Sequence, residues 1–204
     1  MTLADSQLHT MCEHLDMVHP YVPENVGPAS IDLTLHSMIA IQATEDGPLW
    51  ERRDLIDDGP YQLAAGEFIL ASTAEIVTMP RHLCGQLMLR SSAARMGLEH
   101  SFSGLVDPTF AGQLTLELKN SLRRRPIEIS YGMRIVQLVV TKMEGPCVRP
   151  YSQTGWYQGQ SGPTPSNERV RAGQKPRRDM LKTMSQRRLP TNSGKVPIPH
   201  QEPK

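Results

Sequence analysis

Residues 114–119 read Leu-Thr-Leu-Glu-Leu-Lys, an alternation that a helix would scatter around its whole surface. In an extended strand, Leu114, Leu116 and Leu118 face one way, and Thr115, Glu117 and Lys119 face the other. Ile31–Leu35 and Ile127–Tyr131 alternate in the same manner. Phe68–Leu70, Glu75–Met79, Gln86–Leu89 and Arg134–Val140 are further apolar stretches of strand length, separated by Gly, Pro and Asp turns. Many short strands punctuated in this way predict a mainly β chain, a sandwich or a barrel. There is no internal repeat and no heptad run.

Two segments break this texture. Over residues 3–18, Ala4, Leu8, Met11, Leu15 and Val18 recur every three or four positions, with Cys12 on the same side. That spacing predicts an amphipathic N-terminal helix, ended by the Pro20, Pro23, Gly27 and Pro28 loop. Ser91–Met96 predicts a short helix stopped at Gly97. It follows directly on a strand ending at Arg90, so Arg-Ser-Ser sits where a helix N-terminus suits an anion.

The charge distribution marks off the C-terminus. Residues 162–204 hold 10 Lys/Arg against 3 Asp/Glu, a formal +7, leaving 12 against 18, or −6, in residues 1–161. The last segment has 7 of the 17 prolines and no aromatic residue, too little to build a core. The expected organisation is a folded domain over 1–161 and a mostly disordered, Pro-rich basic tail over 162–204. A diffuse patch of this kind implies at most a weak nucleic-acid contact. No apolar run approaches the roughly 20 residues of a membrane span, so no membrane partner is expected. Asp5, Glu13 and Asp16 stand where a secretory leader would need positive charge and an apolar block. Cys12, Cys84 and Cys147 are dispersed and odd in number. The expected location is therefore the reducing cytoplasm.

Several chemistries are excluded by pattern. Zinc-dependent nucleobase deaminases carry His-x-Glu and Pro-Cys-x-x-Cys, whereas Pro146-Cys147 is followed by Val148-Arg149-Pro150. His9 and Cys12 share a helical face but His14 is rotated away, so spacing favours surface histidines and a half-buried thiol over a zinc site. No P-loop, Gly-x-Gly-x-x-Gly or Gly-x-Ser-x-Gly occurs.

The central stretch holds the chemistry-bearing residues: Arg90 and Arg95, which suit phosphate oxygens, Asp107 in an Asp-Pro turn, and Glu117 in a leucine strand. Pattern alone also allows blander roles: surface ion pairs for the arginines, a turn residue for Asp107, a solvated outer strand face for Glu117.

Five blocks in order carry a resemblance. Arg90-Ser91-Ser92-Ala93-Ala94-Arg95-Met96-Gly97-Leu98 resembles the Arg-Ser-Ser-x-Ala-Arg-x-Gly-Leu motif of dCTP deaminases, members of the trimeric dUTPase-like superfamily. Val106-Asp107-Pro108-x-Phe110-x-Gly112 with Leu114–Leu118, Pro28–Leu33, Gly132–Leu138 and Tyr157–Ser166 resemble its other blocks, the last being the C-terminal closing segment. The resemblance spans roughly residues 24–166.

It implies a distorted β-barrel or jelly roll of the dUTPase-like type, a homotrimer with interfacial sites, and hydrolytic deamination of a deoxycytidine nucleotide, dCTP to dUTP plus ammonia. It implies no zinc and no direct metal ligation by protein, with Mg²⁺ carried by the triphosphate. The implied catalytic residues are Glu117, Ser91 and Arg95. Adding water at C4 and expelling ammonia without a metal needs a group that takes a proton and returns it, a task one carboxylate can perform. Ser91 would orient the water and Arg95 would hold the site in register. The implied substrate-binding residues are Arg90, Ser92, Asp107, Gln137, Tyr151, Tyr157 and Gln160. Gln137 would present its amide to the pyrimidine or brace the site. The closing segment, with glycines flanking Trp156 and Tyr157, would order over bound nucleotide. Two departures bear on phosphate recognition: Leu89 where the family often has Gly before Arg-Ser-Ser, and Trp156 where some members have Lys. Two alternatives stay open. One is a bifunctional enzyme that also releases dUMP and pyrophosphate, with Asp107 and Asp32 activating water and orienting the triphosphate. The other is a non-catalytic regulatory member, against which intact Glu117, Ser91 and Arg95 argue.

Overall fold

A computed structural model of the 204-residue chain describes residues 1–43, 49–101 and 104–166. The folded unit runs Met1–Pro165. Residues 167–204, where most of the expected basic tail falls, lie outside the described residues.

The chain opens with α1 (Asp5–Leu15), which buries Leu8 and Cys12. Gln7 Oε1 accepts from Ala4 N at its start, and Asp16 ends it in a left-handed conformation (φ 50°). That turn stops the helix early. Leu15, expected on the apolar face, is therefore exposed, while Met17 and Val18 continue into the core from outside the helix.

Twelve short strands follow among the described residues: β1 (Val18–His19), β2 (Ile31–Thr34), β3 (Met38–Gln42), β4 (Trp50–Asp54), β5 (Tyr61–Leu63), β6 (Phe68–Thr78), β7 (Leu83–Leu89), β8 (Leu98–His100), β9 (Leu105–Val106), β10 (Ala111–Asn120), β11 (Ile127–Ile129) and β12 (Arg134–Lys142). Two further helices are α2 (Ser91–Arg95), between β7 and β8, and α3 (Tyr151–Thr154), after β12. The mainly β class and the N-terminal helix are as expected.

The strands form three sheets. One runs β4-β3-β6-β10-β8 with β1 also on β6, the second runs β2-β12-β7-β9, and β11 pairs β5. All the pairings are antiparallel. The expectation of a barrel is corrected here: among the described residues each sheet keeps open ends, so the layers pack without closing on themselves.

The core lies between the layers. Leu116 and Leu118 are fully buried and Leu114 nearly so, as the alternation requires. Phe68–Leu70 and Glu75–Thr78, two strands by apolar pattern, are parts of one 11-residue β6, and Met79 follows it. Its middle, Ala71-Ser72-Thr73, is fully buried, and since successive strand residues face opposite sides, both faces of β6 are covered there. The β6–β10 register shifts between Gln113 and Thr115, a β-bulge in which Leu114 N donates to Thr73 Oγ1.

Candidate active site

Residues of β2, β10 and β12, and Arg90 just after β7, contribute to the site. Asp32 on β2 lies in register with Gln137 on β12, and Val136 on β12 lies in register with Leu89, the last residue of β7. Arg90 follows immediately, its N–H donating to Ile135 O at 2.9 Å. Two sheet registers thus bring Arg90 and Asp32 together across β12. Arg90 Nε lies 3.2 Å from Asp32 Oδ2, and Arg134 Nη1 lies 3.7 Å from the same oxygen. Gln137 Nε2 donates to Asp32 Oδ1 at 3.3 Å and to Ser30 Oγ at 3.5 Å. In this arrangement the Gln137 amide braces β2, and Arg90 is an ion-pair partner of Asp32.

Behind β2 stands a residue that sequence reasoning did not single out. Glu75, in β6, is buried and accepts from Thr34 N (2.9 and 3.2 Å) and Thr34 Oγ1 (2.8 Å). Burial raises its carboxyl above the usual range, and the Thr34 bonds oppose that rise. Its signal in the sequence was a lone carboxylate inside an apolar strand.

Glu117 sits mid-strand between the buried Leu116 and Leu118, its side chain partly covered. Its carbonyl accepts from Ser101 N at 3.0 Å, just past the point where Leu118 pairs with His100. Across that junction His100 Nε2 lies 3.8 Å from Glu117 Oε2. The imidazole is almost wholly buried, and among the described residues Nε2 has no hydrogen-bond partner. Burial lowers the His100 pKa, and the Glu117 charge opposes this. His100 is a second residue the sequence did not disclose.

Ser91, Ser92 and Arg95 lie on α2, all exposed, around a fully buried Ala93 that anchors the turn. Gly97 follows with φ +91°, as its helix-ending role requires. Its carbonyl accepts from Ser121 N at 2.9 Å, tying α2 to the end of β10.

Asp107 occupies the turn between β9 and β10, where Phe110 N donates to Asp107 O at 3.1 Å. The adjacent Thr109 has φ +69°, an uncommon conformation for a β-branched residue. Its Oγ1 accepts from Ser152 N at 3.0 Å, and Pro108 O accepts from Tyr151 N at 3.2 Å. This turn thereby gathers the C-terminal segment: the Tyr151 ring meets Phe110 edge-on at 5.7 Å, and its hydroxyl accepts from Tyr157 N at 3.2 Å. Burial raises the Tyr151 pKa. Gln160 Nε2 donates to Gln113 O at 2.7 Å, and Thr115 Oγ1 donates to Gln160 Oε1 at 3.4 Å. Trp156 remains about half exposed, and Tyr157 is half-buried.

Elsewhere, His9 bonds Tyr21 OH, and burial pushes the Cys12 thiol up to about 11. Among the described residues no group of three or more His, Cys, Asp or Glu is placed to hold a metal. None of the described helices is long and apolar enough to cross a membrane.

Comparison with known proteins places these residues in a family. Residues 2–143 match the model of the dCTP deaminase-like domain. The chain is 39% identical over 181 residues to the dCTP deaminase, dUMP-forming, of Thermobifida fusca, an alignment covering 81% of this chain and 92% of that protein. It is 39% identical over 163 residues to the protein of the same description from Mycobacterium avium, covering 73% and 85%. The 2′-deoxycytidine 5′-triphosphate deaminase of Agrobacterium tumefaciens shares the fold at a TM-score of 0.57 and 22% identity, over 68% of this chain and 47% of that one. The chain belongs to the dCTP deaminase-like family.

Proposed function

We propose that the protein hydrolyses the C4 amino group of dCTP, consuming one water and releasing dUTP and ammonia, with Glu117 as the proton shuttle. The observation that carries this reading is the Glu117–His100 pair: a strand carboxylate partly shielded from solvent, facing a buried imidazole whose Nε2 has no hydrogen-bond partner among the described residues. With its pKa lowered by burial, His100 is neutral at physiological pH. Glu117 would take a proton from the attacking water and deliver protons to N3 and the departing amine. Ser91 would orient that water and Arg95 would supply positive potential from α2. Ser92, Tyr157 and Gln160 would contact the nucleotide. Tyr151 would act by holding the Tyr157 backbone, and Gln137 by bracing Asp32.

A second reading adds a hydrolysis of dUTP to dUMP and pyrophosphate in the same protein. The name of the relatives, dCTP deaminase, dUMP-forming, favours it. Asp32 is engaged by Arg90 and Arg134, which leaves Asp107, half-buried in its turn, as the carboxylate for that second water.

No zinc is invoked. The donor set fits Mg²⁺ carried on the triphosphate, where it would neutralise phosphate charge, since Asp32 is already paired with two guanidinium groups. Homotrimeric assembly belongs to the same proposal. Met88 and Leu105 support it as exposed apolar residues on one outer face of the four-stranded sheet, Leu105 lying in register with Gln86, two residues from Met88. Three free cysteines accord with a reducing cytoplasm, and residues 162–204 are read as an appendage to the catalytic body. The test is to incubate purified protein with dCTP and Mg²⁺ and measure ammonia and pyrophosphate separately.

A further inference from the structure

We propose that Gln113 is a positioning residue that seats the closing segment on β10 before any nucleotide is bound. β10 pairs with β6 along one edge; on its other edge, among the described residues, β8 covers Leu118–Asn120 and Ser101 N donates to Glu117 O. The stretch from Ala111 to Thr115 would otherwise leave backbone groups open on that side. Residues 159–164 run beside it in the same direction: Gly159 N donates to Ala111 O (2.8 Å), Gln113 N to Gln160 O (3.0 Å), and Thr164 N to Thr115 Oγ1 (3.3 Å).

Gln113 grips this segment with its backbone and its side chain together. Its carbonyl accepts from Gln160 Nε2. Its Oε1 accepts from Gly162 N at 2.6 Å and from Ser161 Oγ at 3.4 Å, and its Nε2 reaches across to Ala74 O in β6 at 3.3 Å. Gln113 is only 7% exposed, so losing its amide would leave buried partners unsatisfied. The register shift between Gln113 and Thr115 begins at this residue, and Gly112, Gln113 and Leu114 are all buried beside it. Gly112 serves the same seat by lacking a side chain. Its φ is +147°, and a Cβ there would lie 2.9 Å from Gln160 O and 3.0 Å from Gln160 N, which are backbone atoms with no freedom to yield.

The kinetic consequence rests on the deaminase reading. A segment already seated spares the nucleotide the cost of ordering it. Unseating it therefore raises KM at least tenfold and changes kcat by less than about threefold, because saturating nucleotide restores the order.

The structural arm does not need turnover. Full-length protein without nucleotide is treated with chymotrypsin, and cleavage after Trp156 and Tyr157 is timed by mass spectrometry. Gln113→Leu and Gly112→Ala should each accelerate that cleavage at least threefold. Gln113→Glu, which keeps both Oε1 contacts, should accelerate it less than Gln113→Leu. If Gln113→Leu fails to fold, judged by circular dichroism, Gly112→Ala carries the test. Acceleration below threefold in the folded variants overturns the proposal, and leaves the deaminase reading standing. Accelerated cleavage in a protein that releases no ammonia would sink the deaminase reading while keeping the seat.

Discussion

His100 Nε2 and Glu117 Oε2 lie 3.8 Å apart, with the imidazole 5% exposed and the carboxylate 28%. The pair joins a residue that water scarcely reaches to one that solvent can reach. Because burial favours neutral His100, Glu117 faces an uncharged imidazole rather than a fixed imidazolium.

That relationship sets a pH dependence of stability. The folded-state pKa of His100 is lowered from its ordinary 6.5, so the unfolded chain binds the proton more readily. Its contribution is neutral with respect to pH above about 6.5 and turns destabilising as pH falls from there towards the folded value. Thermal melting between pH 7.5 and 5.5 should therefore decline less steeply in His100→Gln than in the unaltered protein. Equal slopes in the two proteins would remove the buried-histidine account.

Glu75 is expected to be structural. Glu75→Ala strands Thr34 N and Thr34 Oγ1 in a buried setting, and a lost buried hydrogen-bond partner costs about 1–3 kcal/mol. Glu75→Gln keeps an oxygen for Thr34 N and should cost less. Denaturant unfolding of both variants at pH 7 measures this. An Ala variant as stable as the unaltered protein would show that Thr34 is satisfied otherwise.

The fold was legible where side chains alternate cleanly, and less so where burial is shared or absent. Leu114–Lys119 and Ile127–Ile129 announce strands because each has one buried face. Trp50–Asp54 does not, since Glu51-Arg52-Arg53 forms a largely solvated end strand held by backbone pairing to β3. At the site, Glu117, Asp107, Ser91 and Arg95 stood out by motif. His100 stands between Glu99 and Ser101, with no periodicity to mark it, and only the Leu118–His100 pairing brings it to Glu117. Gln113 was hidden for a related reason: the bulge breaks the alternation on which sequence reading depends.

Truncation should separate the closing segment from the tail. A chain ending at Ser166 keeps every contact described here and should retain activity. A chain ending at Pro150 loses the Tyr151–Phe110 contact and uncovers the edge of β10, so it should lose most activity and melt at lower temperature. Full activity in the shorter chain would contradict any role for Tyr157 and Gln160.

Metal dependence is expected to follow the triphosphate. A zinc-selective chelator in the presence of excess Mg²⁺ should leave ammonia release unchanged, and abolition of activity would overturn the metal-free shuttle. If Asp107→Asn lowers pyrophosphate release while sparing ammonia, the two hydrolyses use different carboxylates.

The most direct test of the account is ammonia release from dCTP and Mg²⁺ by Glu117→Gln, measured beside nucleotide binding. Replacing the carboxylate with an amide keeps the shape and removes the proton shuttle. The predicted result is a loss of turnover of about 100-fold or more, with binding retained within a few-fold. Ammonia release near that of the unaltered protein would contradict the assignment of Glu117.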